Sequence, residues 1–320
     1  MNTEAWARHT LINRLQSLLL LSVMGGFLAL LGWLLWGGSG VIWLLVPALL
    51  LVLFNPFLSP ELLMRLYRAQ RLTPVQAPVL YQALRELSQR ARLPHTPTLY
   101  YLPSRMVNAF AVGNQKRAAI AVTDGLLRNL DSREAIAVLA HELSHIQHND
   151  MWVMGLADLF TRLTHSLSLF GQFLLLLNLP LLMFSNMGIN WFAILILIFA
   201  PNLSILAQLG LSRTREYDAD LNAARLTGDP EGLARALIKI EKQQGSILEQ
   251  IILPGRHTPD PSLLRTHPPT EERIRRLREL QLPPRTPPQL PQTHGSLTPD
   301  ELLDHPVTRP PSWHISGLWH

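Results

Sequence analysis

Residues 131–148 read Asp-Ser-Arg-Glu-Ala-Ile-Ala-Val-Leu-Ala-His-Glu-Leu-Ser-His-Ile-Gln-His. Asp131 followed by Glu134 is a capping-box pattern, so a helix begins here. Ile136, Leu139, Leu143 and Ile146 recur at helical spacing and give that helix a buried stripe. His141 and His145 are four residues apart and share a face, with Glu142 beside them. Two imidazoles so placed can meet one metal ion. A neighbouring glutamate can then take a proton from metal-polarised water and pass it to a leaving amine. The alternative is a pair of surface histidines on an amphipathic helix, and the strong cap and apolar stripe argue against it.

A catalytic zinc ion needs a third protein ligand and one open position. The best candidate lies in Ser212-Arg213-Thr214-Arg215-Glu216-Tyr217-Asp218-Ala219-Asp220, where Glu216 and Asp220 share a helical face. Ala219 and Ala223 leave room for close approach to the first helix, which a shared metal requires. Glu216 is assigned as the ligand, and Asp220 as an acceptor for the N–H of a ligand histidine. The alternative partners for these two acids are Arg213 and Arg215. Ser212 is expected to cap a helix running to about Leu226. With no cysteine in the chain, thiolate ligands and disulfides are excluded, and a reducing compartment fits.

Outward from these two stretches the chain turns apolar. Hydrophobic residues make up 48% of the 320, and charged ones only 16%. No Asp, Glu, Lys or Arg lies between Arg14 and Glu61, or between Arg162 and Arg213. Each gap is more than twice the ~20 residues of a membrane-spanning helix. Each therefore reads as a hairpin of two spans, placed near 15–36, 41–58, 166–184 and 190–210. Gly37-Gly38-Ser39-Gly40 and Ser185-Asn186-Met187-Gly188 supply the breaks. Soluble core helices would carry a polar face, and these carry none. The first run is too long for a cleaved signal peptide and ends in Trp33-Leu34-Leu35-Trp36, so it reads as an uncleaved anchor. Arg8, Arg14, Arg65, Arg68, Arg71, Arg162, Arg213 and Arg215 flank the spans on one face, which the positive-inside rule makes cytoplasmic. Both termini are then cytoplasmic too. The net charge of +5 is explained by those flanks, and no nucleic-acid partner is implied.

The expected organisation is an N-terminal transmembrane hairpin (1–60), a first catalytic part (61–165), a second hairpin (166–210), a second catalytic part (211–280) and a Pro-rich, disordered or extended tail (281–320). Ala77–Leu93 has helical spacing and stops at Pro94. Thr98–Leu102, Val107–Val112 and Ala118–Val122 are short β-type runs. Further helices are expected over Glu231–Lys242 and from Thr270. The fold class is thus mainly α with a small β-sheet (α+β), mounted on four transmembrane helices arranged as two hairpins.

These stretches together resemble the HtpX-like membrane zinc endopeptidases, relatives of the CAAX prenyl endopeptidases. The resemblance is carried by His141–His145, Ser212–Asp220 with Ala223–Gly228, Asn108–Ala111, Thr123–Leu127 and Thr266–Ile274. It implies a gluzincin-type metallopeptidase domain with one Zn2+ per chain, held in a bacterial inner membrane. Its partners would be the lipid bilayer and polypeptide substrates, chiefly misfolded membrane proteins met in quality control and stress response. It further implies that the strand from Asn108 through Ala109 and Phe110 to Val112 binds substrate backbone by strand addition. His267 would stabilise the oxyanion beside zinc, its alternative being a turn residue ahead of a helix. His148 is read as a flanking polar residue. Asp124 stands where this family more often has a small or hydroxyl residue.

Two other readings compete. An intramembrane site-2-type protease uses the same histidine motif within a span, but Arg133, Glu134 and Asp150 bracket this helix and are costly in hydrocarbon. A catalytically silent scaffold of the same fold would not need Glu142, both histidines and Glu216 intact.

Overall fold

The computed structural model describes residues 3–53, 59–184, 191–251 and 269–280. The expected turn at Ser185–Gly188, His267, the tail 281–320 and part of the second span, 54–58, lie outside this set. In chain order the elements are α1 (Thr3–Leu53), α2 (Pro60–Leu66), β1 (Gln70–Arg71), α3 (Pro78–Arg90), β2 (Thr98–Leu102), β3 (Ala109–Gly113), β4 (Ala118–Thr123), α4 (Asp124–Asn129), α5 (Ser132–His148), α6 (Asp150–Phe184), α7 (Trp191–Thr227), α8 (Pro230–Ile251) and α9 (Thr270–Arg278). The chain is mostly helical with one small mixed sheet.

Two compact units divide the described residues. One holds 59–151, 215–251 and 269–280, and the other holds 3–53, 152–184 and 191–214. In the first unit the strand order is β1-β2-β4-β3, with β2 parallel to β4 and the other pairs antiparallel. Side chains alternate across this sheet as the period of two requires. Leu99, Tyr101, Ala109, Ala111, Ile120 and Val122 join the main core with α3, α5 and α8, whereas Tyr100, Val112, Ala119 and Ala121 pack with Met64 of α2.

The expected strand from Val107 begins two residues later, at Ala109. Thr123 explains this. Its Oγ1 accepts from Asn108 N (3.0 Å) and from Leu126 N (3.2 Å), and thereby caps α4. The ladder ends where that side chain takes over. Three elements were not expected, the seven-residue α2 directly after the first apolar run among them. β1 has two residues, too few for a periodic signal, and α4 has six, opening on an Asp-Gly that reads as a turn. Gly125 is needed there, because a Cβ would run into the carbonyl oxygens of Arg105 and Met106.

The second unit is apolar on its outside. Leu18, Leu176 and Phe192 are 62%, 67% and 66% exposed, while Ser17, Thr164, Ser168 and Ser204 are buried. Such a surface needs an apolar surrounding. Met24, Ala157, Ala207 and Leu211 form one of its small cores, and Leu31, Leu197 and Ala200 another. α1 breaks at Gly37, whose φ of 66° and ψ of −154° are not helical. Among the described residues, two segments are long and apolar enough to cross a membrane by length and composition, Leu15–Leu34 and Ile194–Thr227. The expected cap at Ser212 is not found: α7 runs unbroken through it to Thr227, and Thr214 Oγ1 donates back to Gly210 O at 2.9 Å. Gly210 is the nearest break signal, and a helix tolerates a single glycine.

Gly125→Ala is expected to cost about 1–3 kcal/mol or more through this clash. At Gly155 a Cβ meets nothing within 4 Å. Gly155→Ala should therefore leave thermal stability unchanged or raise it slightly. Equal melting temperatures for the two variants in detergent would contradict this account.

Candidate metal centre

α5 carries three of the expected site residues and is fixed at both ends. Asp131 Oδ1 accepts from Glu134 N (2.8 Å), and Glu134 Oε2 accepts from Asp131 N (2.9 Å), completing the capping box. Glu134 is buried, with Lys239 Nζ of α8 donating to it at 2.6 Å. At the other end Asn149 adopts a left-handed conformation (φ 53°, ψ 37°) and its N–H caps the carbonyls of His145 and Ile146. The chain reverses there, so Asp150, the first residue of α6, comes back onto α5.

α5 meets the last turns of α7 across small residues. Ala219, Ala223 and Ala224 are fully buried, and Ser144 of α5 faces Asn222. Asn222 Nδ2 donates to Ser144 Oγ (3.1 Å) and to Gln147 Oε1 (2.7 Å), fixing how far one helix slides along the other. In that register His141 Nε2 and His145 Nε2 are 3.2 Å apart. Glu216 Oε2 lies 3.4 Å from His141 Nε2, and Glu216 Oε1 lies 3.6 Å from His145 Nε2. Donor atoms of all three residues fall within 4.8 Å of one another.

The remaining ring nitrogens have carboxylate neighbours. His145 Nδ1 meets Asp150 Oδ2 at 2.8 Å. His141 Nδ1 lies 3.0 Å from Asp220 Oδ1, in ion-pair range though off the line of an ideal hydrogen bond. Asp220 is held by Arg273 of α9, which donates Nε to Oδ2 and Nη2 to Oδ1, both at 2.7 Å. Arg273 Nη1 is 3.2 Å from Glu216 Oε2. Arg213, one partner expected for these acids, is not used in this way, and Arg215 goes instead to Asp150 at 3.2 Å. Burial alone would lower the His141 pKa, but Asp220 and Glu216 outweigh it and raise it to about 10. For His145, burial and His141 push down while Asp150 and Glu216 push up, and the net shift is upward. Burial would depress Arg273, but Asp220 and Glu216 hold it firmly charged.

The donor set fits a divalent ion. Tetrahedral zinc with bonds of about 2.0–2.1 Å has ligand atoms about 3.3–3.4 Å apart. The two Nε2 atoms are 3.2 Å apart, and each has one Glu216 oxygen near that spacing, Oε2 at 3.4 Å from His141 and Oε1 at 3.6 Å from His145. Charge points the same way. Asp150, Glu216 and Asp220 are 3%, 7% and 4% exposed, and Glu142 is half-buried beside them. These four carboxylates face two guanidinium groups, Arg273 and Arg215. With neutral histidines the cluster lacks two positive charges, and uncompensated buried anions are costly.

Not every expected residue joins this cluster. Ala109 and Phe110 lie on β3, an outer strand of the sheet that packs against α5, and Asn108 directly precedes it. Ala109 faces the α5 side, whereas Phe110 faces α2 and stacks edge-on against Tyr67, with centroids 5.5 Å apart. His148 turns away, with Nδ1 on Ser144 O at 2.9 Å. Asp124 accepts from Tyr101 Oη (2.9 Å) and Arg128 Nε (2.6 Å), which gives that unusual acid a local structural role. Sequence reading missed Asp150 and Arg273. For Asp150 the usable signal was an Asn-Asp pair directly after the histidine helix.

A model of peptidase family M48 matches residues 74–281. The chain is 35% identical over 283 residues to a protein named Protease HtpX homolog from Desulfatibacillum aliphaticivorans, covering 83% of this chain and 89% of that one. It is 37% identical over 286 residues to another of that name from Acaryochloris marina, covering 84% and 95%. Among solved structures, the crystal structure of S. mikatae Ste24p aligns at 21% identity with a TM-score of 0.40, over 84% of this chain and 66% of that chain.

In metal-free protein the raised His141 pKa predicts a pH-dependent stability. A group raised from 6.5 to about 10 stabilises the fold fully below 6.5, and that contribution is lost as pH rises towards 10. Chelator-stripped protein should therefore unfold progressively more easily between those values, and His141→Gln should weaken the dependence, His145 being raised as well. Flat stability of the stripped wild type across that range would contradict the shift.

Proposed function

The chain belongs to peptidase family M48, among the HtpX homologues, and on that premise we propose that it is a zinc endopeptidase of the membrane. It is a metalloprotease by family, and polypeptides are its substrates. The observation that carries the zinc assignment is the convergence of His141, His145 and Glu216 from two helices on one point. In this reading those three residues hold the ion, and Asp220 orients His141. Bound zinc supplies Lewis-acid polarisation of water and of the scissile carbonyl.

The chain's own residues do the rest. Glu142 is half-buried at the edge of the cluster, so it can receive a proton from the attacking water and deliver it to the departing amine. The substrate backbone pairs with the outer edge of β3, where main-chain groups of an edge strand stand ready for a further strand. Asn108, Ala109 and Phe110 would then be substrate-binding residues. His267 is proposed, by family resemblance, to donate to the developing oxyanion. In the same reading four spans in two hairpins anchor the enzyme, and the arginine flanks support a site on the cytoplasmic side of a bacterial inner membrane. Misfolded membrane proteins met in quality control are the proposed natural substrates.

The full chain purified in detergent should hold one zinc ion and cleave an unfolded protein such as casein, and a chelator should abolish cleavage. Glu142→Ala should keep the metal and lose at least about a hundredfold in rate. Glu216→Ala should lose zinc. Wild-type cleavage by Glu142→Ala would sink the assigned base, and undiminished zinc in Glu216→Ala would sink the third ligand.

A further inference from the structure

Each histidine of the metal centre is backed by an aspartate, and each aspartate by an arginine. In one relay Arg215 Nη1 donates to Asp150 Oδ1 (3.2 Å), and Asp150 Oδ2 meets His145 Nδ1 (2.8 Å). In the other, Arg273 grips Asp220 through Nε and Nη2 (2.7 Å each), and Asp220 Oδ1 lies 3.0 Å from His141 Nδ1. Arg273 also reaches Glu216, with Nη1 3.2 Å from Oε2. We propose that Asp150, Arg215 and Arg273 are positioning residues that set the orientation of all three zinc ligands. The proposal rests on the metal-site reading above and goes beyond the ligands and Asp220.

An imidazole can present either nitrogen, and it can turn about its own bond. A carboxylate at Nδ1 requires the N–H there, which leaves the Nε2 lone pair pointing inward. The two Nε2 atoms do converge, 3.2 Å apart. An aspartate does this only if its own plane is fixed and its buried charge is compensated. Arg273 meets both needs, since its planar fork matches a carboxylate with two parallel bonds and its charge is permanent. Arg215 adds a single bond to Asp150 and acts on His145 through it. An ordinary ion pair in the same unit offers an internal comparison: Arg133 binds Asp229 with Nη2 to Oδ1 at 2.6 Å, joins α5 to the start of α8, and has no hydrogen bond to a histidine among the described residues.

The test measures the zinc dissociation constant of the detergent-solubilised full chain by competition with a chromophoric chelator, together with the visible spectrum of the cobalt(II)-substituted protein. Asp150→Asn is expected to weaken zinc binding about 10–100-fold. Arg215→Gln and Arg273→Gln should each weaken it about tenfold and shift the cobalt bands, with Arg273→Lys recovering only part of the loss. Adding Arg215→Gln to Asp150→Asn should cost nothing further, because one acts through the other. Arg133→Gln should lower the melting temperature and leave zinc affinity unchanged. Folded Asp150 and arginine variants that bind zinc like the wild type would overturn the proposal, as would fully additive losses at Arg215 and Asp150. A wild-type chain that binds no zinc would instead overturn the metal-site reading on which it stands.

Discussion

The first unit is organised around an electrostatic demand: several carboxylates must sit close together out of water. Asp150, Asp220 and Glu216 come from the starts and ends of different helices and are all nearly inaccessible. Isolated anions in such a place are prohibitively costly. Two arginines and two imidazoles offset part of that cost, and the remaining deficit suits a divalent cation. Removing any one member leaves a buried group uncompensated, so the cluster is either complete or destabilising.

Meeting that demand dictates features that look purely structural. The capping box and the Glu134–Lys239 pair fix where α5 begins, and left-handed Asn149 fixes where it ends and brings Asp150 to His145. Alanines at 219, 223 and 224 let α7 approach α5, and the Asn222–Ser144 bond sets their relative slide. On the other side of α5, Ala109 and Ala111 keep the sheet close. α9 then brings in Arg273, a permanent cation whose one side chain contacts both Asp220 and Glu216. Without α9 the two acids from α7 would lack that counter-charge.

How much of this was legible follows from the range of each signal. His141 and His145 stand in one helix, as do Glu216 and Asp220, so a period of 3.6 placed each pair on a shared face, with Glu142 beside the first. Small residues beside the second group marked it as a close-packed surface. Asp150 was signalled only by the Asn149-Asp150 pair, because its role depends on a single positive φ at Asn149 that reverses the chain. Arg273 was visible only as part of the Thr266–Ile274 stretch, near the start of α9, with no partner indicated. Its contact with Asp220 spans 53 positions, and no local spacing reports it. Ser212 shows the opposite failure: a residue suited to capping was read as a helix start, although continuous apolar helix preceded it. The alternation along β3 was readable, but which side of the sheet faced α5 was not. That side decides that Ala109, and not Phe110, lies toward the histidine helix.

Exposure separates Glu142 from the other acids, and the separation has a chemical reason. Along α5 it follows His141 by one position, about 100° around the helix, which moves it from the buried stripe to its margin. Glu216 and Asp220 are buried, while Glu142 is half-exposed. A ligand gains from burial, because exclusion of water strengthens its hold on a cation. A proton carrier needs the reverse, since it must exchange with water and with substrate in each cycle. Moving Glu142 one position along α5 would bury it among the ligands or remove it from reach. The helical period therefore accommodates both demands with consecutive residues, and a metal-binding histidine followed by a proton-transferring glutamate is the sequence that results.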